Sequence, residues 1–330
     1  MRVSLKKFIV PSIPLAIFLV GCCFILWMAT YVVTRYSAVT TQDTSIVESL
    51  QSIFLHNSIL LNLVCIILTL LNGFLVAQIN NRFTIIRTRT FLPILIFLML
   101  IATWSQTHVM IGSHLGLTLF ILALFYFFSM SRDRRASEQA FMGSLLISLS
   151  SLLITPLLFI IPVCWIGFIM FQSFSLRTFL ASVFGTLSPW ILYLAGMYLF
   201  CQGFDCRHLL NFNINLYFNY LDFSLPELIY AAAMCLVLMI SLVGKYSISH
   251  SDAIKTRNKL NFLLFLLVSL LILSFLFKAQ FISFLPIIAL VYSMLVSHPF
   301  TLKQNNFYGI LFIVFCLISI AFVISKYFIL

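Results

Sequence analysis

Apolar runs of about twenty residues, parted by short polar turns, recur along the whole 330-residue chain. Each such run is long enough to cross about 30 Å of hydrocarbon as a helix. The pattern predicts spans over roughly 8–33, 58–79, 91–107, 111–130, 178–200, 228–243, 260–277, 282–297 and 307–324. Trp27, Tyr31 and Tyr36 close the first run with the aromatic residues expected at a membrane interface, so it reads as a retained span and not a cleaved leader.

The stretch 140–171 is too long for one upright helix, and Pro156 and Pro162 interrupt it. Proline removes an amide donor and disfavours helix in the residue before it, which predicts a break near Thr155 and Pro156. As a hairpin of two short arms, this stretch leaves fifteen of the nineteen Lys and Arg residues on one side and four on the other. As a single span it inverts every later turn and gives twelve and seven. The positive-inside rule selects the hairpin. The fold class expected is therefore all-α, a polytopic membrane protein of about eleven spans. The N-terminus faces the cytoplasm, the C-terminus the periplasm, and the membrane is a bacterial inner membrane.

Composition agrees with this reading: 62% of residues are hydrophobic and 8% charged. That is far from the mix of soluble domains, and no soluble domain is expected. The net charge of +11 resides in short membrane-flanking turns, not in a basic patch interleaved with aromatics, so nucleic acid is excluded as a partner. Six cysteines fall in apolar runs as small hydrophobes. Cys201 and Cys206 lie in an outward loop, where an oxidising compartment would permit a disulfide.

Two outward loops are long, 34–57 and 201–227, and they hold Asp43, Glu48, Asp205, Asp222 and Glu227 together with Arg35, His56, Arg207 and His208. In the first, Ile46, Leu50, Ile53 and Phe54 share a helical face, which predicts a helix along the membrane surface. His108 and His114 sit at the outward ends of the third and fourth spans, and Lys278 at that of the ninth. A carboxylate such as Asp43, or Glu48 behind it, is a candidate general base. Arg35, Arg207 and Lys278 are candidate cations for a lipid phosphate, with His56, His108, His114 and His208 as further polar contacts. Ser249-His250-Ser251-Asp252 offers triad residue types but reads as a solvated inward loop, since sequence neighbours do not build a triad.

Taken together, these features bear a resemblance. A first span, a long outward loop bearing an acid, a basic turn after the second span and a second long outward loop after the seventh resemble the polyprenyl-linked glycosyltransferases of the GT-C fold. The stretch from Phe141-Met-Gly-Ser-Leu-Leu to Pro156-Leu-Leu-Phe-Ile-Ile-Pro162, then Arg177 and Leu187-Ser-Pro189-Trp190, is similar to their fifth-to-seventh helix region. The closest likeness overall is to uncharacterised bacterial multi-pass proteins. The resemblance covers about 1–230, a GT-C-like module, and leaves 231–330 as C-terminal helices. It implies a polyprenyl-phosphate-linked sugar as donor, an acceptor at the outward face, an acid of the first loop as base, and in some relatives a divalent metal. Asp43 stands alone and later than the usual acid, so a relative that has lost catalysis is also within the implied range.

Two other classes remain open. A transporter or lipid flippase would carry ionisable residues within its spans, and few are apparent. A structural subunit of an envelope assembly would show small-residue interfaces for protein partners, of which Gly112 and Gly116 form one pair.

Overall fold

The computed structural model describes residues 13–34, 47, 58–88, 90–131, 133–200, 224–303 and 306–326. Among them the chain is helical throughout, with no strand. The α-helices are α1 (Ile13–Thr34), α2 (Ser58–Phe83), α3 (Leu92–Ala102), α4 (Ile111–Ser129), α5 (Ser137–Leu153) and α6 (Ile161–Met170). They continue as α7 (Leu176–Phe200), α8 (Leu225–Ile248), α9 (Ile254–Leu276), α10 (Phe281–Leu302) and α11 (Asn306–Ile324). Seven of these, α2, α4 and α7 to α11, are long and apolar enough to cross a membrane. The chain thus reads as a multi-pass membrane protein.

The third predicted span is shorter than its sequence suggests. α3 stops at Ala102, where Thr103 and Trp104 lead into a 3-10 turn over Ser105–Val109. Eleven residues rise only about 16 Å, roughly half a bilayer. The expected break in 140–171 falls where the prolines placed it. α5 ends at Leu153, a 3-10 turn with Pro156 in its first turn covers Thr155–Ile160, and α6 returns for ten residues with Pro162 in its own first turn.

In a bilayer, helices gain little from hiding apolar surface from each other, so close approach and interhelical hydrogen bonds matter more. α5 is built that way. Its Ser148 hydroxyl donates to the Thr186 carbonyl of α7 at 2.6 Å, and Ser150 donates to the Gly116 carbonyl of α4 at 2.8 Å. From α7, Trp190 Nε1 donates to Ser151 Oγ at 3.0 Å. Gly185 of α7 lies against the Phe141 backbone, where a Cβ would come within 2.5 Å of the carbonyl oxygen. The pair Gly112 and Gly116 is likewise used within the chain, the first by Val47 and the second by Ile154 and Ser150.

α10 is the centre of the molecule. It packs on α3, α4, α8, α9 and α11, and nearly every residue from Ser283 to Thr301 is buried. Its Ser293 and Thr301 hydroxyls return to carbonyls of the same helix, so its polar atoms cost little inside the bundle.

The turns sort into two ends. Ser175 Oγ donates to the Arg134 carbonyl, Asn258 Nδ2 to the Met170 carbonyl and Lys259 Nζ to the Phe83 carbonyl. These bonds gather the turns after α2, α4, α6 and α8 at one end. Of the twelve described Lys and Arg residues, ten lie there: Arg82, Arg87, Arg134, Arg135, Arg177, Lys245, Lys255, Arg257, Lys259 and Lys303. Lys278 and Lys326 lie at the opposite end.

Candidate functional site

At the end opposite the basic turns, α8 and α9 both pack on α10 and diverge from each other above their connecting turn. The gap between them is a groove of about 230 Å³ whose floor is α10. Pro286 and Ala289 keep that floor low, and Leu285 and Tyr292 flank them. Met234, Cys235 and Leu238 of α8 and Leu267, Leu271 and Phe275 of α9 form the walls. Cys235 and Phe275 are exposed, so the groove opens sideways, toward what a bilayer would fill with lipid chains. The Tyr292 hydroxyl donates to the Met234 carbonyl at 3.0 Å and ties the floor to one wall. From Tyr230 to Leu238 the groove follows α8 for about 12 Å.

Its mouth is aromatic. Trp104 packs against Tyr230, Phe281 and Phe322, and Tyr230 stacks on Phe322 with ring centroids 4.3 Å apart. The Lys326 ammonium lies 4.6 Å from the Trp104 ring centroid and pairs with Glu227. Glu227 also closes a capping box at the start of α8, accepting from the Ser224 amide at 2.9 Å. A cation thus sits over an apolar slot at the membrane boundary. Lys278 is in the 3-10 turn Lys278–Gln280, immediately before the mouth residue Phe281.

His108 and His114 lie behind this mouth and are buried. His108 stacks face to face on Trp27 at 3.6 Å, and its Nε2 donates to the Ile101 carbonyl at 3.2 Å. Burial pushes the His108 imidazole down to about 3, so the ring is neutral around neutral pH. His114 Nε2 donates to the Thr107 carbonyl at 3.0 Å, and its Nδ1 meets the Thr69 hydroxyl at 3.3 Å. Trp27 Nε1 donates to Asn62 Oδ1 at 2.8 Å, Asn72 Nδ2 to the His114 carbonyl and Thr118 Oγ1 to Asn72 Oδ1. This network fixes the turn after α3, and that turn carries Trp104 to the groove. The two histidines act on the site through that turn. Among the described residues no group of three His, Cys, Asp or Glu gathers to hold a metal.

Asp43, Glu48, Arg35, His56, Arg207 and His208 lie outside the described residues, as do Cys201, Cys206 and most of the expected surface helix. Val47 is described and buried, seated on Gly112 at the start of α4. That contact places Val47 itself at the groove's end of the molecule.

At the basic end the reading of 249–252 as a solvated loop fails at Asp252, while His250 and Ser251 are exposed as expected. Asp252 is buried, with its side chain 1% exposed, because Arg87 from the turn after α2 and His298 from α10 close over it. Arg87 Nη2 lies 3.1 Å from Asp252 Oδ1. His298 Nε2 lies 3.3 Å from Oδ2 as a close contact off the hydrogen-bonding line. The turn between the spans expected over 228–243 and 260–277 is also shorter than those bounds imply. α8 runs through Lys245 and α9 begins before Lys259, so both lysines are helical and buried. Lys245 Nζ donates to Asn261 Oδ1 at 2.9 Å, and Lys259 Nζ lies 4.8 Å from the Phe83 ring centroid. Sequence reasoning missed this cluster. Its one signal was a lone acid among cations, with a histidine preceding Pro299 inside an apolar run.

No family model, curated protein or solved structure matches the chain.

Proposed function

We propose that this protein is an integral membrane glycosyltransferase of GT-C type that takes a lipid-phosphate-linked sugar at its less basic end, with the basic end toward the cytoplasm. The groove between α8 and α9 carries the proposal: it is apolar, opens sideways and ends under Lys326 and Trp104. A polyprenyl chain lies along Ala289 and Pro286, and its phosphate emerges where Lys326 can exchange Glu227 for a phosphate oxygen. Asp43, with Glu48 as the second acid, takes the proton of an acceptor hydroxyl as its oxygen attacks the anomeric carbon. The lipid phosphate leaves with the electrons of the broken glycosidic bond. Arg35, Arg207, His208, His56 and Lys278 complete the headgroup pocket in this proposal.

The test separates tail from head. Farnesol and farnesyl phosphate are titrated into the purified protein, and the quenching of tryptophan fluorescence is followed. Both are expected to bind, the phosphate more tightly, and Ala289→Trp is expected to abolish both. Absence of saturable binding by either sinks the lipid reading. Equal sugar transfer by wild type and Asp43→Asn would remove Asp43 from the chemistry.

A lipid flippase is the second reading, favoured by the buried Asp252, His298 and Lys245 at the far end. In vesicles, translocation of a fluorescent lipid that Asp252→Asn abolishes, with farnesyl phosphate binding unchanged, would select it.

A further inference from the structure

A second cleft, of about 460 Å³, lies at the basic end between α2, α4 and the start of α5. We propose that it binds one anionic phospholipid of the leaflet at that end, with the lipid phosphate on Arg82. This site is separate from the groove and independent of the function proposed above.

The cleft is graded with depth. Leu75, Gln78 and Arg82 follow one face of α2 toward its end, so the wall passes from methyl groups to an amide to a guanidinium. On α4 the same order runs from Phe125 to Ser129, and Gln139 of α5 faces the outer part. Apolar surface inside and donors at the rim fit an amphiphile lying along the helices, its acyl chains inward and its head at the surface.

The Ser129 hydroxyl donates to the Tyr126 carbonyl at 2.6 Å, but the other rim donors are uncommitted among the described residues. Arg82 makes no ion pair among the described residues, and its guanidinium carbon rests 5.7 Å from the Phe83 ring centroid. The Gln78 and Gln139 amides make no side-chain hydrogen bond among those residues either. A phosphodiester accepts two hydrogen bonds from a guanidinium fork, and the amides can serve glycerol or ester oxygens. Among the described residues no carboxylate lines the cleft, so the ammonium of a zwitterionic lipid would meet no partner there, whereas net negative charge is matched. The volume is within the range of pockets that hold a small ligand. An arginine near a helix end often only reaches for headgroups at random. Here the hollow and the convergent amides add a shape that such snorkelling does not require.

Native mass spectrometry of the detergent-purified protein, titrated with phosphatidylglycerol or phosphatidylcholine of identical chains, tests the site. One phosphatidylglycerol is expected to be retained about fivefold more tightly than phosphatidylcholine, the weight of one cation at an anionic surface. Arg82→Gln is expected to erase that preference, and Arg134→Gln, at the same end but outside the cleft, to keep it. Leu122→Trp fills the hollow and leaves every charge in place; it too should lose the retained lipid, whatever the fate of Arg82→Gln. Equal retention of the two lipids by wild type, unchanged preference in Arg82→Gln or Leu122→Trp, or displacement by glycerol 1-phosphate would each overturn the proposal.

Discussion

Asp252 joins three segments that are far apart in sequence, and its carboxylate is the buried charge of the basic end. Breaking such a pair costs typically about 3–5 kcal/mol when the charge left behind is the buried one. Arg87→Gln strands the carboxylate and is therefore expected to lower the midpoint of thermal unfolding in detergent sharply. Asp252→Ala leaves Arg87, 43% exposed, with access to water, and should cost less. Equal losses in the two variants would show that the cluster is not organised around the carboxylate. His108 supports a second prediction. Its ring is held neutral down to about 3, while the unfolded chain takes up a proton near the ordinary value of 6.5. Between these values the unfolded state binds more protons, so acidification drains stability by up to about 1.4 kcal/mol per pH unit. His108→Gln keeps a donor for Ile101 but cannot titrate, and should lose less on going from pH 7 to pH 5 than wild type. An unchanged difference would exclude His108 as its source. Neither residue's burial was legible in the sequence. Asp252 has Ser, His and Ala as neighbours, which read as a loop, and its cover comes from Arg87 and His298.

Among the elements, α5 and α7 show how helices adhere where water is absent. Their contact relies on serine hydroxyls aimed at carbonyls and on Gly185 beside the Phe141 backbone. Gly185→Ala would place a methyl 2.5 Å from a carbonyl oxygen that cannot rotate away, so the helices must separate. Overpacking of this kind costs about 1–3 kcal/mol, and thermal unfolding should detect it. Gly196→Ala, with open space at its Cβ, is the matched control and should be neutral or slightly stabilising. The hairpin of α5 and α6 was legible, because proline acts on its own backbone and needs no tertiary partner. The early end of α3 was not. Leu92 to Thr107 is apolar enough to continue as helix, and the chain turns at Thr103 because the His108 and His114 network draws it back. The groove was equally hidden. It arises from the divergence of α8 and α9 over α10, a packing outcome that leaves no mark in either helix's periodicity.

For the molecule as a whole, the two ends differ in charge, and that difference is what turns a helical bundle into an oriented one. A cation is held back from crossing by its hydration and by the membrane potential, and short basic turns follow that preference strongly. With ten described cations at one end and Lys278 and Lys326 at the other, the basic end should remain cytoplasmic in intact cells. On that orientation the groove and Val47, seated on Gly112, share the periplasmic side, as the proposed function requires. Single cysteines test this directly. In a background with Cys201 and Cys206 changed to serine, Arg135→Cys and Ser224→Cys are exposed to a membrane-impermeant maleimide before and after permeabilisation. Ser224→Cys is expected to react in intact cells and Arg135→Cys only once the membrane is opened. The reverse pattern would put the groove mouth in the cytoplasm and overturn the proposed orientation. Labelling of both from outside would mean that α5 to α7 do not cross the bilayer as an odd number of passes, which would overturn the layout.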